Sequence, residues 1–239
     1  LYGSTFYVVT SEFRVYLCIN NGSNPDNSDG QKSTTEPTHT NTAPQPSGGT
    51  DGYIWKYLYT ISPSDIVKFV TTKYIPLPQK WGDATNENIK NAAVDGEIQT
   101  IVLKKEGAGV GVGTANSGTI SGIRISGDGV GGEATVVISN GKVTSVTPSA
   151  GGAGYTYASL KFVTGTYVDT NNQPVTLGIP QSNEDVPQFE VVIPPKGGHG
   201  ADIYRELGGF RVMMYAKFDN NVDDLPDYVV GNNFSRIGV

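Results

Sequence analysis

The stretch TDGYIWKYLYTISPSDIVKFV, Thr50–Val70, decides how the rest of the chain is read. Tyr53, Trp55, Tyr57 and Tyr59 fall at every second position. Successive side chains of a strand point to opposite faces, so this spacing predicts a strand with four aromatic rings on one face. Such a face is either the wall of a core or an adhesive surface. The other face, Ile54, Lys56, Leu58 and Thr60, is mixed and is expected to be half exposed. After Ile61 the pattern changes. Ser62 suits a helix N-cap, Pro63 the first helical position, and Asp65 the first turn, where the helix dipole favours negative charge. Ile61 and Ile66 are spaced for a hydrophobic staple. A short helix over 63–70 is predicted.

Upstream, STFYVVT (4–10) and FRVYLCIN (13–20) are β-branched and aromatic and read as two strands with a turn at Ser11 and Glu12. Residues 20–50 have almost no apolar side chains and are expected to form a long polar loop, mobile or draped over a neighbour. Downstream, TNENIKNAAV (85–94) and GADIYRELGG (200–209) suggest two more short helices, the last stopped by Gly208. The middle holds an internal repeat. DGEIQTIVLKKEGAGV (95–110) aligns without gaps on NGKVTSVTPSAGGAGY (140–155) at an offset of 45 residues. Each copy has a turn glycine, then alternating apolar residues, then a GAG turn. GTISGIRIS and GEATVVIS, between the copies, read as further strands. Two units are too few for a solenoid, so a closed glycine-turned β-module is expected.

The composition agrees with strands and turns. The 239 residues include 31 Gly and 14 Pro, and only 17% are charged, which suits an all-β protein. A net charge of −6 argues against binding the phosphates of nucleic acid. No apolar run has the length of a membrane span, and there is no signal peptide pattern. Cys18 is the only cysteine, so no internal disulfide can form, which fits assembly in a reducing cytoplasm. The chain opens without Met, in a stretch that reads as strand, and is expected to be a fragment of a longer protein.

Motifs with chemical meaning resolve to bland readings. GDGVGG (127–132) fits the dinucleotide string, but EATVVIS follows where a helix should begin, so a hairpin turn is expected. PPKGGHGAD (194–202) places Lys196 and His199 in a glycine loop before a helix; it lacks P-loop order, and a role in an interface is favoured over catalysis. NPDNSDG (24–30) puts Pro25 where a calcium loop needs its first oxygen ligand, and FDNNVDDLPD (218–227) is read as a solvated acidic loop. His39 and His199 lie in no metal-ligand pattern. Cys18 has no local histidine partner and no G-x-S-x-G elbow occurs. The sequons at Asn21 and Asn233 are read as chance matches. No catalytic, metal or cofactor residue is assigned.

Other residues resemble a family. DGYIWKYLYTI (51–61) followed by KYIPLP (73–78) is similar to the middle segment of the baseplate wedge protein encoded by gene eight in contractile-tailed bacteriophages. VVIPPKGGHGADIYRELGGFRVMM (191–214) resembles the wedge proteins of marine cyanophage relatives. SGDGVGGEATVVISNGKVTSVTPSAGGAGYT (126–156) resembles a β-unit that recurs in phage structural proteins. The family's N-terminal region and C-terminal extension have no counterpart here, and the glycine module is an addition to the founding pattern. The resemblance implies a layered β-sandwich with helix-bearing side loops. It also implies a homodimer docked among other wedge subunits, a place in the virion tail, and no enzymatic activity.

The expected fold is therefore mainly β. A layered β-sandwich would be formed by residues 1–93 and 184–239, with a glycine-rich β-module inserted at 94–183 and a few short helices in loops. The expected function is structural, in the baseplate wedge. Tyr53, Trp55, Tyr57, Tyr59, Lys196 and His199 are the candidate subunit-interface residues, with the aromatic face chiefly a core wall. Neither nucleic acid nor membrane is an expected partner. A rival reading is a tail adhesin that stacks sugars on an exposed Tyr53–Tyr59 face; a polysaccharide-degrading enzyme ranks last.

Overall fold

The β-branched and aromatic runs at the start of the chain pair into one antiparallel sheet. In the computed structural model, which describes residues 6–180, 182 and 185–216, these are β1 (Tyr7–Val9), β2 (Arg14–Asn21), β3 (Gln45–Pro46) and β4 (Tyr53–Thr60), in the order β1-β2-β4-β3. The aromatic strand β4 is thus interior, paired on both sides. The first helix, α1 (Pro63–Phe69), starts where its caps predict: the Asp65 amide donates to the Ser62 hydroxyl at 3.2 Å. The other two predicted helices are shorter than expected, α2 (Glu87–Asn91) and α3 (Ile203–Glu206). Gly208 follows α3 with φ +68°, a left-handed stop.

The middle of the chain builds a second β assembly with its own core. A sheet of β6 (Gly111–Val112), β7 (Gly118–Gly127), β8 (Val130–Ser139), β9 (Lys142–Ala153), β11 (Gly165–Val168) and β12 (Pro174–Gly178) runs in the order β6-β12-β11-β7-β8-β9. The short β10 (Ala158–Leu160) also pairs with β7. A separate ribbon, β5 (Ile101–Lys105) with β13 (Gln188–Val191), carries the chain in and out. Along β8 the residues Gly132, Ala134, Val136 and Ile138 are buried and their neighbours are not, the period-two signature of a sheet with one face in a core. Ile101, Leu103, Phe189 and Val191 of the ribbon join Ile120, Ile123, Val136 and Ile138 of the large sheet in that core, β layer against β layer. One-residue register shifts, between Ile120 and Ile123 on β7 and at two points along β9, curl the large sheet.

The sequence repeat is also a structural one. Its paired glycines, Gly96 with Gly141, Gly107 with Gly152, and Gly109 with Gly154, all take φ between +62° and +76°. Its paired apolar residues, Ile98 with Val143 and Ile101 with Val146, are all buried. The two copies hydrogen-bond to each other reciprocally: the Ile98 amide donates to Gly151 O at 3.0 Å, and the Val143 amide to Glu106 O at 2.9 Å. Shifting 98 and 106 by the repeat offset gives 143 and 151, so each copy makes the same contact with the other. This is the geometry of a pseudo-two-fold pair.

The chain divides into two compact units, Leu1–Ile61 with Leu77–Phe210, and Ser62–Pro76 with Arg211–Val239. Both β assemblies belong to the first. The acidic run at 218–227, the sequon at Asn233 and the rest of the expected sandwich segment beyond residue 216 lie outside the described residues.

Candidate interaction surfaces

The aromatic run of β4 does not stay on one face. Neighbouring residues Val15 and Tyr16 of β2 take partners two apart on β4: Val15 pairs with Tyr59 and Tyr16 with Tyr57. Leu58 is therefore an extra residue, and the bulge turns the strand over. Tyr53, Trp55 and Tyr57 share the face of Tyr16 and Cys18, whereas Tyr59 joins Val15 and Leu17 on the other. The ring contacts agree. Tyr53 stacks on Trp55 with centroids 5.2 Å apart, Tyr57 meets Tyr16 edge-on at 5.6 Å, and Tyr59 meets Trp81 at 6.5 Å. The expectation of one face with four rings is corrected accordingly. The opposite positions are mixed as expected, with Ile54 half-buried and Thr60 exposed, but Lys56 and Leu58 are 1% and 0% exposed, because other segments cover the middle of that face as well.

The cover on the Tyr53–Trp55–Tyr57 face comes from the polar loop. The loop folds back over its own sheet and is held there. The Tyr53 hydroxyl donates to Gln31 O and the Tyr16 hydroxyl to His39 O, each at 2.6 Å. His39 Nε2 lies 3.1 Å from the Trp55 carbonyl and must carry the hydrogen there. Burial holds the His39 imidazole below its ordinary pKa. One carboxylate ties the middle of the loop to its end. Asp51 accepts from the Thr34 amide at 2.8 Å, the Ser47 hydroxyl at 3.0 Å and the Tyr53 amide at 3.2 Å. Those bonds, that from Thr34 foremost, hold its pKa down at about 2. Asp51 was not singled out in the sequence; its place next to Gly52 at the mouth of a strand is the only local signal.

The other face of β4 meets the segments around 77–95 and 194–209. Lys56 donates from Nζ to Thr42 O at 2.9 Å, and its burial lowers its pKa against the opposing pull of Glu97 and Glu206. Trp81 donates from Nε1 to Gly200 O at 2.9 Å, and its amide donates to the Tyr204 hydroxyl, which itself donates to Pro78 O. His199 Nδ1 pairs with a Glu206 oxygen, and the other Glu206 oxygen accepts from the Gly200 amide at 2.8 Å. The Gly197 amide donates to Asp95 at 2.6 Å. The glycine loop is thus a docked element stitched to the body, with Lys196 left exposed at its tip.

Of the six candidate residues, Tyr53, Trp55 and Tyr57 come together on one face. Tyr59 is linked to the His199 loop through Trp81 on the other. Trp55 and Tyr59 are 3% and 1% exposed, Tyr53, Tyr57 and His199 are half-buried, and Lys196 is exposed. Trp55 and Tyr59 are therefore closed to a stacking sugar, and Tyr53 and Tyr57 are half covered, which does not favour the adhesin reading. Two open clefts adjoin this region. One, of about 420 Å³, lies between β3–β4 and β9 and has Lys56 and Glu97 as its ionisable lining; the other, of about 300 Å³, lies beside β1 over Trp55. Burial pushes the Cys18 thiol up to about 11, so it stays a thiol at neutral pH. GDGVGG forms the β7–β8 hairpin turn, with Asp128 accepting from the Thr156 and Tyr157 amides. Asn24 accepts from the amides of Asp26 and Asn27 within its own turn.

A family model described as Bacteriophage T4, Gp8 matches residues 9–112, somewhat less than half of the chain. The matched stretch runs from the end of β1 to β6 and contains the β4 motif, the polar loop, Trp81 and the first copy of the repeat. The second copy and the glycine loop with His199 lie outside it. Over this stretch the chain is similar to that family. No curated protein and no solved structure matches the chain significantly.

Proposed function

We propose that the chain is a structural subunit of a bacteriophage tail baseplate, working in its wedge through protein–protein contacts. The observation that carries this is the match of residues 9–112 to the Bacteriophage T4, Gp8 family, which includes the Asp51–Ile61 motif. The geometry supports it. The conspicuous aromatic residues serve an internal layer, the polar loop and the glycine loop are docked, and rigid β layers result. Such a body would move as a unit when its assembly changes state. The subunit acts without catalysis, is carried in the virion tail after assembly in the host cytoplasm, and forms a homodimer. Lys196, with His199 behind it, is the part of the candidate set best placed to touch a neighbour; Tyr53 and Tyr57 offer edges, and Trp55 and Tyr59 support them from inside. An antibody to this chain should label the tail end of particles of the phage that encodes it, and tryptic peptides of the chain should appear in purified particles. Particles that lack those peptides would overturn the proposal.

A further inference from the structure

The cleft of about 420 Å³ is lined by polar groups that the described residues leave unused. Lys56 is 1% exposed. An ammonium has three N–H donors, and the one bond made by this one runs to Thr42 O at 2.9 Å. No carboxylate among the described residues forms an ion pair with it; Glu97 and Glu206 pull on its pKa from further away. Gln99 lines the same cleft. Its Nε2 donates to Glu97 at 2.8 Å, whereas its Oε1 is buried with no partner. A buried donor and a buried acceptor left unbonded are each costly, so both point to something that enters and bonds them.

The cleft also lies between two sheet edges. β3 is the last strand of the first sheet and β9 the last of the large one. The outer edge of β9 is bonded at its two ends, Val143 to Glu106 and Gly151 to Ile98, but from 144 to 150 no described residue bonds its main chain on that side. Val146, Thr147 and Ser149 of that stretch line the cleft, and Pro44, Pro46 and Pro148 give it apolar rings. Lys56 and Glu97, its ionisable lining, balance in charge, so an ion of either sign is not favoured. We infer that the cleft receives an extended, uncharged segment of a partner protein, laid alongside β9. A main chain brings both missing partners. Its carbonyls accept from Lys56 Nζ, and its N–H groups donate to Gln99 Oε1 once the occupant turns that amide toward itself. Pro44 and Pro46 have no N–H, so the β3 side contributes ring surface and the β9 side main-chain bonds. The inference rests on the baseplate reading and names a site within it.

The test uses the whole chain co-expressed with each neighbouring structural reading frame. Hydrogen exchange in the resulting complex should slow at 97–100 and 144–150 relative to the free chain. Thr147→Arg with Ser149→Arg, two changes at exposed positions that narrow the cleft, should leave the melting temperature unchanged and weaken the complex at least about tenfold. Lys56→Met, which keeps the length of the side chain and removes its donors, should weaken the complex independently. The partner segment that gains protection in the same experiment should have no Asp or Glu at its centre. A protected segment whose carboxylate is required for binding would overturn the uncharged occupant. A complex whose exchange at both segments is unaltered, and which the variants form normally, overturns the inference and leaves the baseplate reading standing. Self-association that is lost in the same variants would replace the partner protein with a second copy. A chain that binds no neighbour overturns both readings together.

Discussion

At the residue scale, two buried ionisable groups decide much of the first sheet's stability. Asp51 holds the middle of the polar loop, at Thr34, to its end at Ser47 and the start of β4, and its pKa is held down at about 2 by the amides and hydroxyls it accepts from. A depressed carboxylate contributes stability that is complete above its unfolded pKa of 3.8 and is lost as pH falls toward about 2. Asp51→Ala should cost about 1–3 kcal/mol at neutral pH, because the Thr34 and Tyr53 amides lose their acceptor. It should also shrink the acid-labile part of the stability below pH 4, which denaturant melts across that range would measure. Lys56 shifts in the same direction but at the alkaline end, and at neutral pH its buried ammonium costs stability where the Asp51 carboxylate adds it. Its pKa is lowered by burial, so the folded chain binds fewer protons than the unfolded one as the pH approaches 10.5, and stability rises with pH there. Lys56→Met should abolish that alkaline rise; an unchanged pH profile would mean that the ammonium is not buried as described. Neither role was legible beforehand. Asp51 read as part of a motif and Lys56 as a half-exposed strand residue, because alternation says which residues share a face and not whether both faces are covered.

At the element scale, local chemistry was the most readable level. Ser62, Pro63 and Asp65 predicted the start of α1, Gly208 the end of α3, and the glycine spacing the β-module with its repeat. What the sequence hid was the bulge at Leu58. A one-residue insertion leaves composition and alternation intact on both sides, yet moves Tyr59 to the opposite face. The long polar loop misled for a related reason. It has few apolar side chains to announce burial, and it is held instead by hydroxyls, carbonyls and Asp51. The repeat gives a sharp prediction because equivalent glycines have different surroundings. A β-carbon on Gly96 would lie 2.2 Å from the Tyr155 amide nitrogen, whereas on Gly141 the nearest atom is Gly109 N at 3.3 Å. Gly141→Ala should cost about 1–2 kcal/mol, the ordinary penalty of a left-handed alanine. Gly96→Ala should cost about 3 kcal/mol or more, since backbone must move as well. Equal melting temperatures for the two variants would contradict the packing of the two copies.

At the scale of the whole molecule, the aromatic and glycine-rich features are used inside the first unit, and the proposed role falls to outward-facing surfaces. Both tryptophans are inside, Trp55 at 3% and Trp81 at 8% exposure. Native emission should be blue-shifted and weakly quenched by acrylamide, and added host polysaccharide should leave it unchanged; ready quenching would revive the adhesin reading. The fold class was legible from composition and strand pattern. The proposed function was legible only through resemblance, at 51–61 with 73–78, at 126–156 and at 191–214, because a structural subunit would carry no constellation of reacting groups to find, and its partner surfaces would be ordinary side chains in chosen places. Native mass spectrometry of the chain co-expressed with the neighbouring reading frames of its source genome tests the baseplate assignment itself. A defined hetero-complex containing this chain and another tail protein is the predicted result. A chain that remains alone with every neighbour would contradict the baseplate assignment.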